Sequence, residues 1–219
     1  MKPSYLLLNT LLPLVISAIP LHSTSHLTTE IGPGSTSTSI TPSQIEAIAP
    51  KAKACENPPA PDECATAAQA APYIARSFAT YNVTARAEQA AVLGLMAFES
   101  VEFRYNRNHS PGVPGQGTRN MQSPGFNAEY AASIPGLKEA LDGGAQGDVV
   151  KVLDLLRGNA EYDFGSGAWF LTTQCSAEVR AALRTGSEEG WAGFLTRCVG
   201  TDANEERKGY WVRAVQVLG

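Results

Sequence analysis

The stretch Phe98-Glu99-Ser100-Val101-Glu102-Phe103-Arg104-Tyr105-Asn106 runs through a Gly- and Pro-rich middle into Gln116-Gly117-Thr118-Arg119-Asn120-Met121-Gln122-Ser123-Pro124. It sets the carboxylate of Glu99 at the end of an apolar run that holds Met96 and Phe98, just ahead of a polar loop. Apolar neighbours penalise an ionised carboxylate and raise its pKa, which suits a general acid working near neutral pH. Gln116, Asn120 and Gln122 are neutral donors and acceptors fit for sugar hydroxyls and N-acetyl groups, and Tyr105 offers a ring to stack on a pyranose face. Arg119 suits either a substrate carboxylate or a loop-pinning salt bridge. The chemistry these types spell is acid-catalysed glycoside cleavage, with Glu99 protonating the glycosidic oxygen and Asp163 or Glu161 as the second carboxylate across a cleft. Glu102 reads as a solvated or salt-bridged neighbour, near enough to perturb Glu99 as a like charge.

Those residues need a scaffold, and the composition bounds it. The chain has 219 residues, 43% of them hydrophobic, which supports one globular core plus tails. A net charge of −4 gives no basic footprint for a phosphate backbone, so nucleic acid is not expected as a partner. Of three histidines, His22 and His26 lie near the N-terminus, and a zinc site or a Ser-His-Asp triad would rest on His109 alone. Neither a metal nor a cofactor is expected.

Met1-Lys2, the apolar run Tyr5–Ile16 and the small residues Ser17-Ala18 read as a signal peptide over 1–20, hence a secreted, extracellular protein. No segment is apolar enough for a membrane anchor, and a monomer is expected. Residues 21–52 are Ser/Thr/Pro-rich and read as a disordered spacer, leaving 53–219 as the folded domain. Cys55, Cys64, Cys175 and Cys198 form an even set, read as two disulfides in an exported chain. Three pairings are open; the local one, Cys55 with Cys64 and Cys175 with Cys198, is the simplest. Asn82-Val83-Thr84 is a glycosylation sequon.

From Asp62 onward the periodicity is helical. It predicts helices from Asp62 to about Tyr81, Ala85–Phe103, after Ser123-Pro124, Asp148–Arg157, Gly167–Cys175, Ser176–Arg184, Ser187–Cys198 and Asp202–Leu218. Trp169, Trp191 and Trp211 fall at core positions. Residues 106–121 break the rhythm as a long loop, the kind that compact domains reserve for function or disorder.

Glu99-Ser100, Phe103, Asn106, the Gly-rich loop and Asn120-Met121-Gln122 with Pro124 resemble the lysozyme-like superfamily, in particular goose-type lysozymes and soluble lytic transglycosylases. Gly165-Ser166-Gly167-Ala168-Trp169-Phe170-Leu171 and Arg207-Lys208-Gly209-Tyr210-Trp211-Val212-Arg213 are similar to two later helices of that group, so the resemblance spans about Ala85 to Leu218. The chain departs from it in a longer stretch between Glu99 and Met121-Gln122, in Asn120 standing where leucine is usual, and in lacking a tyrosine near Ala181-Ala182. The resemblance implies an all-α, disulfide-stapled lysozyme-like domain with a long cleft-lining loop. It implies Glu99 as acid, with Ser100, Tyr105, Asn106, Gln116, Arg119, Asn120 and Gln122 at the substrate. The function expected on this basis is a secreted glycoside hydrolase or lytic transglycosylase acting on β-1,4-linked amino-sugar polymers of the cell wall. Peptidoglycan comes first by motif, and chitin or chitosan sit better with the negative charge. The alternatives are a chitinase- or chitosanase-like hydrolase on the same fold, or a non-catalytic glycan-binding or host-interaction protein.

Overall fold

A computed structural model describes residues 39–219; the segment read as a signal peptide (1–20) and that read as a spacer, up to residue 38, lie outside the described residues. Within them the chain is all-α, with ten helices and, in place of strands, only isolated β-bridges.

Order begins earlier than the composition suggests, and the spacer expectation over 21–52 is corrected for its last part. Helix α1 (Pro42–Ile48) opens on a capping box in which Thr41 and Gln44 satisfy each other's backbone N–H groups. A 3₁₀ turn, Pro50–Lys53, follows. Ile40, Ile45, Ile48, Ala49 and Ala52 are buried, and α1 packs on α2 (Ala67–Thr80) and on the C-terminal helix α10 (Glu205–Leu218). Each buried isoleucine contributes about 1.5–3 kcal/mol, enough to outweigh the polar residues around it.

Helix α2 starts at the Thr66/Gln69 capping box instead of at Asp62, because the Cys55–Cys64 bridge and the Ala65 N–H to Phe103 C=O bond hold the preceding residues in a loop. Helix α3 (Arg86–Glu99) is the axis of the domain, buried from Glu88 to Ala97 on every face. It is covered by α7 (Ala160–Gln174), α8 (Ala177–Arg184) and α10. Gly94 permits the close approach of α10, since a Cβ there would lie 3.1 Å from the Trp211 backbone. The remaining helices are α4 (Pro124–Ala132), the short α5 (Lys138–Ala140) running into a wider turn at Leu141–Ala145, α6 (Val149–Arg157) and α9 (Glu188–Phe194). Side-chain caps from Asp148, Asn159, Ser176, Ser187 and Asn204 fix the starts of α6 to α10. Helix α7 begins seven residues before Gly167, the start read from the sequence: Asn159 caps it, and Gly165 and Gly167 are carried inside a buried helix.

The three tryptophans are core, with Trp191 and Trp211 stacked at 5.0 Å. The disulfides are Cys55–Cys64 and Cys175–Cys198, the local pairing. The second closes a loop of 23 residues across α8 and α9, so replacing both its cysteines by serine is expected to lower the unfolding free energy by about 3 kcal/mol, read by calorimetry. A change under about 1 kcal/mol would mean that the packing of α8 on α9 already holds this loop.

Candidate functional site: the Glu99 cleft

Helix α3 stops at Glu99, four residues short of the Phe103 end read from its apolar pattern, because Val101, Glu102 and Phe103 all take left-handed backbone angles, φ 53°, 60° and 64°. Three such residues in succession without a glycine are costly and persist only where the surroundings over-determine them. Here they do. Ser100 Oγ donates to Met96 C=O at 2.6 Å and accepts from the Phe103 N–H at 2.9 Å, and the Glu102 N–H reaches Ala97 C=O at 2.6 Å. Phe103 C=O accepts from the Ala65 N–H and from Arg119 Nη1. Glu102, read as solvated or salt-bridged, is instead buried, accepting from the Lys51 N–H at 2.5 Å and from Tyr210 Oη at 2.8 Å.

The turn delivers Glu99 to the junction of three cavities that share it as a wall. One, of about 310 Å³, is closed by Gln116, Asn120, Met121, Gln122, Ser123, Phe126, Phe170, the Val199–Thr201 segment and Arg207. A second is lined by Tyr105, Arg107, Asn108, His109, Ser110 and Gln116, and a third by Phe98, Glu205, Glu206, Gly209, Tyr210 and Arg213. The far wall of the first is the cleft loop, folded on itself by bridges between Arg107 and Gly117 and between Gly117 and Gln122. Asn127 fastens it from α4 by donating to Gly115 C=O at 2.8 Å.

Glu99 is not a free acid. Arg207 reaches it with Nη2 at 3.0 Å and Nε at 3.2 Å, and the same guanidinium grips Asp202 and lies over the Phe98 ring at 4.5 Å. Burial pushes the Glu99 carboxyl above the ordinary carboxylate range; Arg207 pulls it back, and Asp202 adds a little in the upward direction. Arg207 is the site residue that the reading of the loop missed. It lies 108 residues from Glu99, and its only sequence signal was membership of the C-terminal motif.

Gln122 is the other unusual group. It is 5% exposed, lines the 310 Å³ cavity, and neither its Nε2 nor its Oε1 has a hydrogen-bond partner. Buried amides are nearly always satisfied.

Of the residues expected at the substrate, Tyr105, Gln116, Asn120 and Gln122 line these cavities. Ser100, Asn106 and Arg119 do not, and are corrected to structural roles: Ser100 is fully buried and locks the turn, while Asn106 and Arg119 belong to a charge network on the far side of the loop. Asp163 is corrected with them. It is 2% exposed, takes Arg119 Nε at 2.8 Å and Asn106 Nδ2 at 3.0 Å, and lines a separate cavity that Glu99 does not reach. Burial raises its carboxyl above the usual range against the pull of Arg119. Glu161 pairs with Arg76 at the surface. His109 Nε2 meets the buried Glu63 at 3.0 Å and its ring tilts on Tyr105 at 5.1 Å. Asn82 is exposed in the turn after α2.

Fold and site together define an all-α, doubly disulfide-bonded domain with a mixed polar and apolar cleft. The chain is 44% identical over 171 residues to a bifunctional dioxygenase (DOX)-epoxy alcohol synthase (EAS) of Fusarium oxysporum (strain Fo5176), an alignment covering 75% of this chain and 13% of that protein. No family model matches the chain, and no solved structure matches it. The comparison overturns the glycosidase expectation. The similar protein is named for oxidative chemistry, and neither named activity cleaves a glycosidic bond, so the hydrolase, lytic transglycosylase and chitinase- or chitosanase-like readings fall, and with them a role in cell-wall degradation.

Proposed function

We propose that this chain is a binding module that serves oxidative chemistry of the dioxygenase and epoxy alcohol synthase kind by holding an epoxy alcohol in the Glu99 cleft. The observation that carries the reading is Gln122. A buried amide with an open N–H donor and an open C=O acceptor matches a molecule that presents an epoxide oxygen to receive a hydrogen bond and a hydroxyl to give one. Phe126, Phe170, Met121 and Val199 on the same cavity supply apolar walls for a hydrocarbon part. The chain spans 13% of the length of that relative.

Dioxygenase chemistry draws on a redox-active group, and the donor set here does not fit one. Among the described residues no cluster of three or more His, Cys, Asp or Glu side chains could hold a metal ion, the four cysteines are in disulfides, and His109 is engaged by Glu63. The reading therefore assigns binding, and no redox step, to these residues. Export belongs to the same proposal, supported by the two disulfides. A lysozyme-like scaffold, supported by the Glu99-Ser100 turn at a helix end facing Met121-Gln122, is proposed for the fold alone.

Replacing Gln122 by leucine tests the assignment. It removes two unsatisfied polar atoms at nearly constant volume, so stability is expected to rise by about 1–2 kcal/mol in urea unfolding. Affinity for an unbranched epoxy alcohol, measured by calorimetry against the parent alkane, is expected to fall by about tenfold or more. A loss of stability with unchanged affinity would remove Gln122 from the site and take the proposal with it.

A further inference from the structure

We infer that Glu102 is a positioning residue for the Glu99 cleft, clipping the N-terminal segment 39–53 to α10 beneath the left-handed turn and thereby fixing where Glu99 stands. The inference rests on the binding reading above for its ligand, and on the turn geometry for the rest.

The two carboxylate oxygens of Glu102 serve different parts of the chain. Oε2 accepts the Lys51 N–H at 2.5 Å and Oε1 accepts Tyr210 Oη at 2.8 Å. Burial and the Glu102 carboxylate push the Tyr210 phenol up to about 12, so it stays a donor throughout the physiological range. Arg213, one turn beyond Tyr210 on α10, adds a second tie to the same segment by donating Nε to Ile48 C=O at 2.9 Å. The clip is therefore three-sided: segment 39–53, the strained turn and α10.

Position matters because of where the turn leads. Glu102 sits at φ 60° between two other left-handed residues, and the Glu102 N–H closes on Ala97 C=O inside α3, so its backbone and side chain together set the end of that helix. Releasing the side chain frees the turn to relax toward ordinary angles, which unwinds or extends the last turn of α3 and carries Glu99 with it. Glu99 is one end of the Arg207 bridge, and Tyr210 stands one turn after Arg207 on α10. The segment before the first cysteine and the cleft are thus joined through one carboxylate.

The test uses the full chain with Glu102→Gln and, because that variant could fail to fold, Tyr210→Phe, which removes one donor and keeps the ring packed edge-on against Phe98 at 6.0 Å. The first readout is the titration of Glu99 by carboxyl NMR, with Arg207, Asp202, Glu205, Glu206 and Arg213 as the charged groups around it. In Tyr210→Phe, which removes no charge, the expected result is a midpoint that moves down toward the ordinary carboxylate range as the end of α3 loosens and water enters; in Glu102→Gln the loss of a like charge lowers it as well, so the charge-neutral variant decides. The second is the dissociation constant for the unbranched epoxy alcohol, expected to rise about tenfold in Glu102→Gln and less in Tyr210→Phe. A folded variant with a lower melting temperature but unchanged Glu99 titration and affinity would overturn the inference, leaving Glu102 a stability residue. If the parent protein binds no epoxy alcohol, the binding reading fails alone, and the Glu99 titration still decides the role of Glu102.

Discussion

Replacing Arg119 by methionine is expected to cost about 3–5 kcal/mol at pH 7, because it removes the cation paired with the buried Asp163 carboxylate. Arg119 is 4% exposed, its Nε pairs with Asp163 Oδ2 at 2.8 Å, and its Nη1 donates to Phe103 C=O at 2.8 Å and Tyr105 C=O at 3.2 Å. One side chain thus ties α7 to the turn after Glu99. Asn106 Nδ2 stays on Oδ2 at 3.0 Å and Oδ1 has no partner, so the neutral amide is the hydrogen-bond donor left to the carboxylate. The loss carries a pH signature whose sign follows from burial. Asp163 has a raised folded carboxyl even in the parent protein, and losing the cation raises it further. The folded state then holds a proton that the unfolded state releases, so stability climbs as pH falls through the folded midpoint toward the ordinary carboxylate value. Urea unfolding at pH 7 and pH 5 checks this, with a smaller deficit expected at pH 5. An equal deficit at both would mean that the lost carbonyl contacts, and no stranded charge, account for the cost.

Gly117→Ala is expected to cost less and to act on the cleft directly. A Cβ at this position would lie 2.5 Å from Asn106 C=O and 2.7 Å from a Leu153 methyl, and the backbone oxygen cannot retreat without breaking the Thr118 N–H to Asn106 C=O bond of 2.9 Å. Gly117 is also the member common to both bridges that fold the loop. Overpacking of this kind costs about 1–3 kcal/mol, and here it is paid by displacing the loop that carries Gln116 and Gln122. We expect a melting temperature lower by roughly 3–10 °C and weaker epoxy alcohol binding in the same variant. Loss of stability without loss of affinity would show that the loop can shift as a body and keep its cleft face.

How much of this was legible beforehand follows from the kind of signal each feature leaves. Helices with a cap residue and a periodic apolar face, such as α6 behind Asp148 and α4 behind Ser123-Pro124, could be read from local pattern alone. Helix α1 could not. Its isoleucines are diluted by serine, threonine and proline, and composition averages away five apolar residues that bury together. The end of α3 was missed for a different reason: its apolar pattern continues through Phe103, while the chain leaves the helix at Ser100 because long-range partners on segment 39–53 and α10 stabilise the left-handed turn. In the cleft, Gln116, Asn120 and Gln122 were found because they are neighbours in sequence. Arg207 was not, since no spacing rule links residues 108 apart. Asp163 was misplaced because a carboxylate near a helix start looks the same in sequence whether it faces a cavity with Glu99 or is buried against an arginine. The activity itself came out wrong because residue types that suit sugar hydroxyls suit other oxygenated molecules equally.

The fold of segment 39–53 also decides what a minimal form of this protein is. A recombinant version trimmed to the first cysteine keeps both disulfides, yet strips Ile40, Ile45 and Ile48 from α2 and α10. The surface uncovered belongs in part to α2, an alanine-rich helix whose one charged residue is Arg76. Such a product would be oxidised, helical and sticky, and poor behaviour on a sizing column would report a missing apolar cover and not a misfolded core.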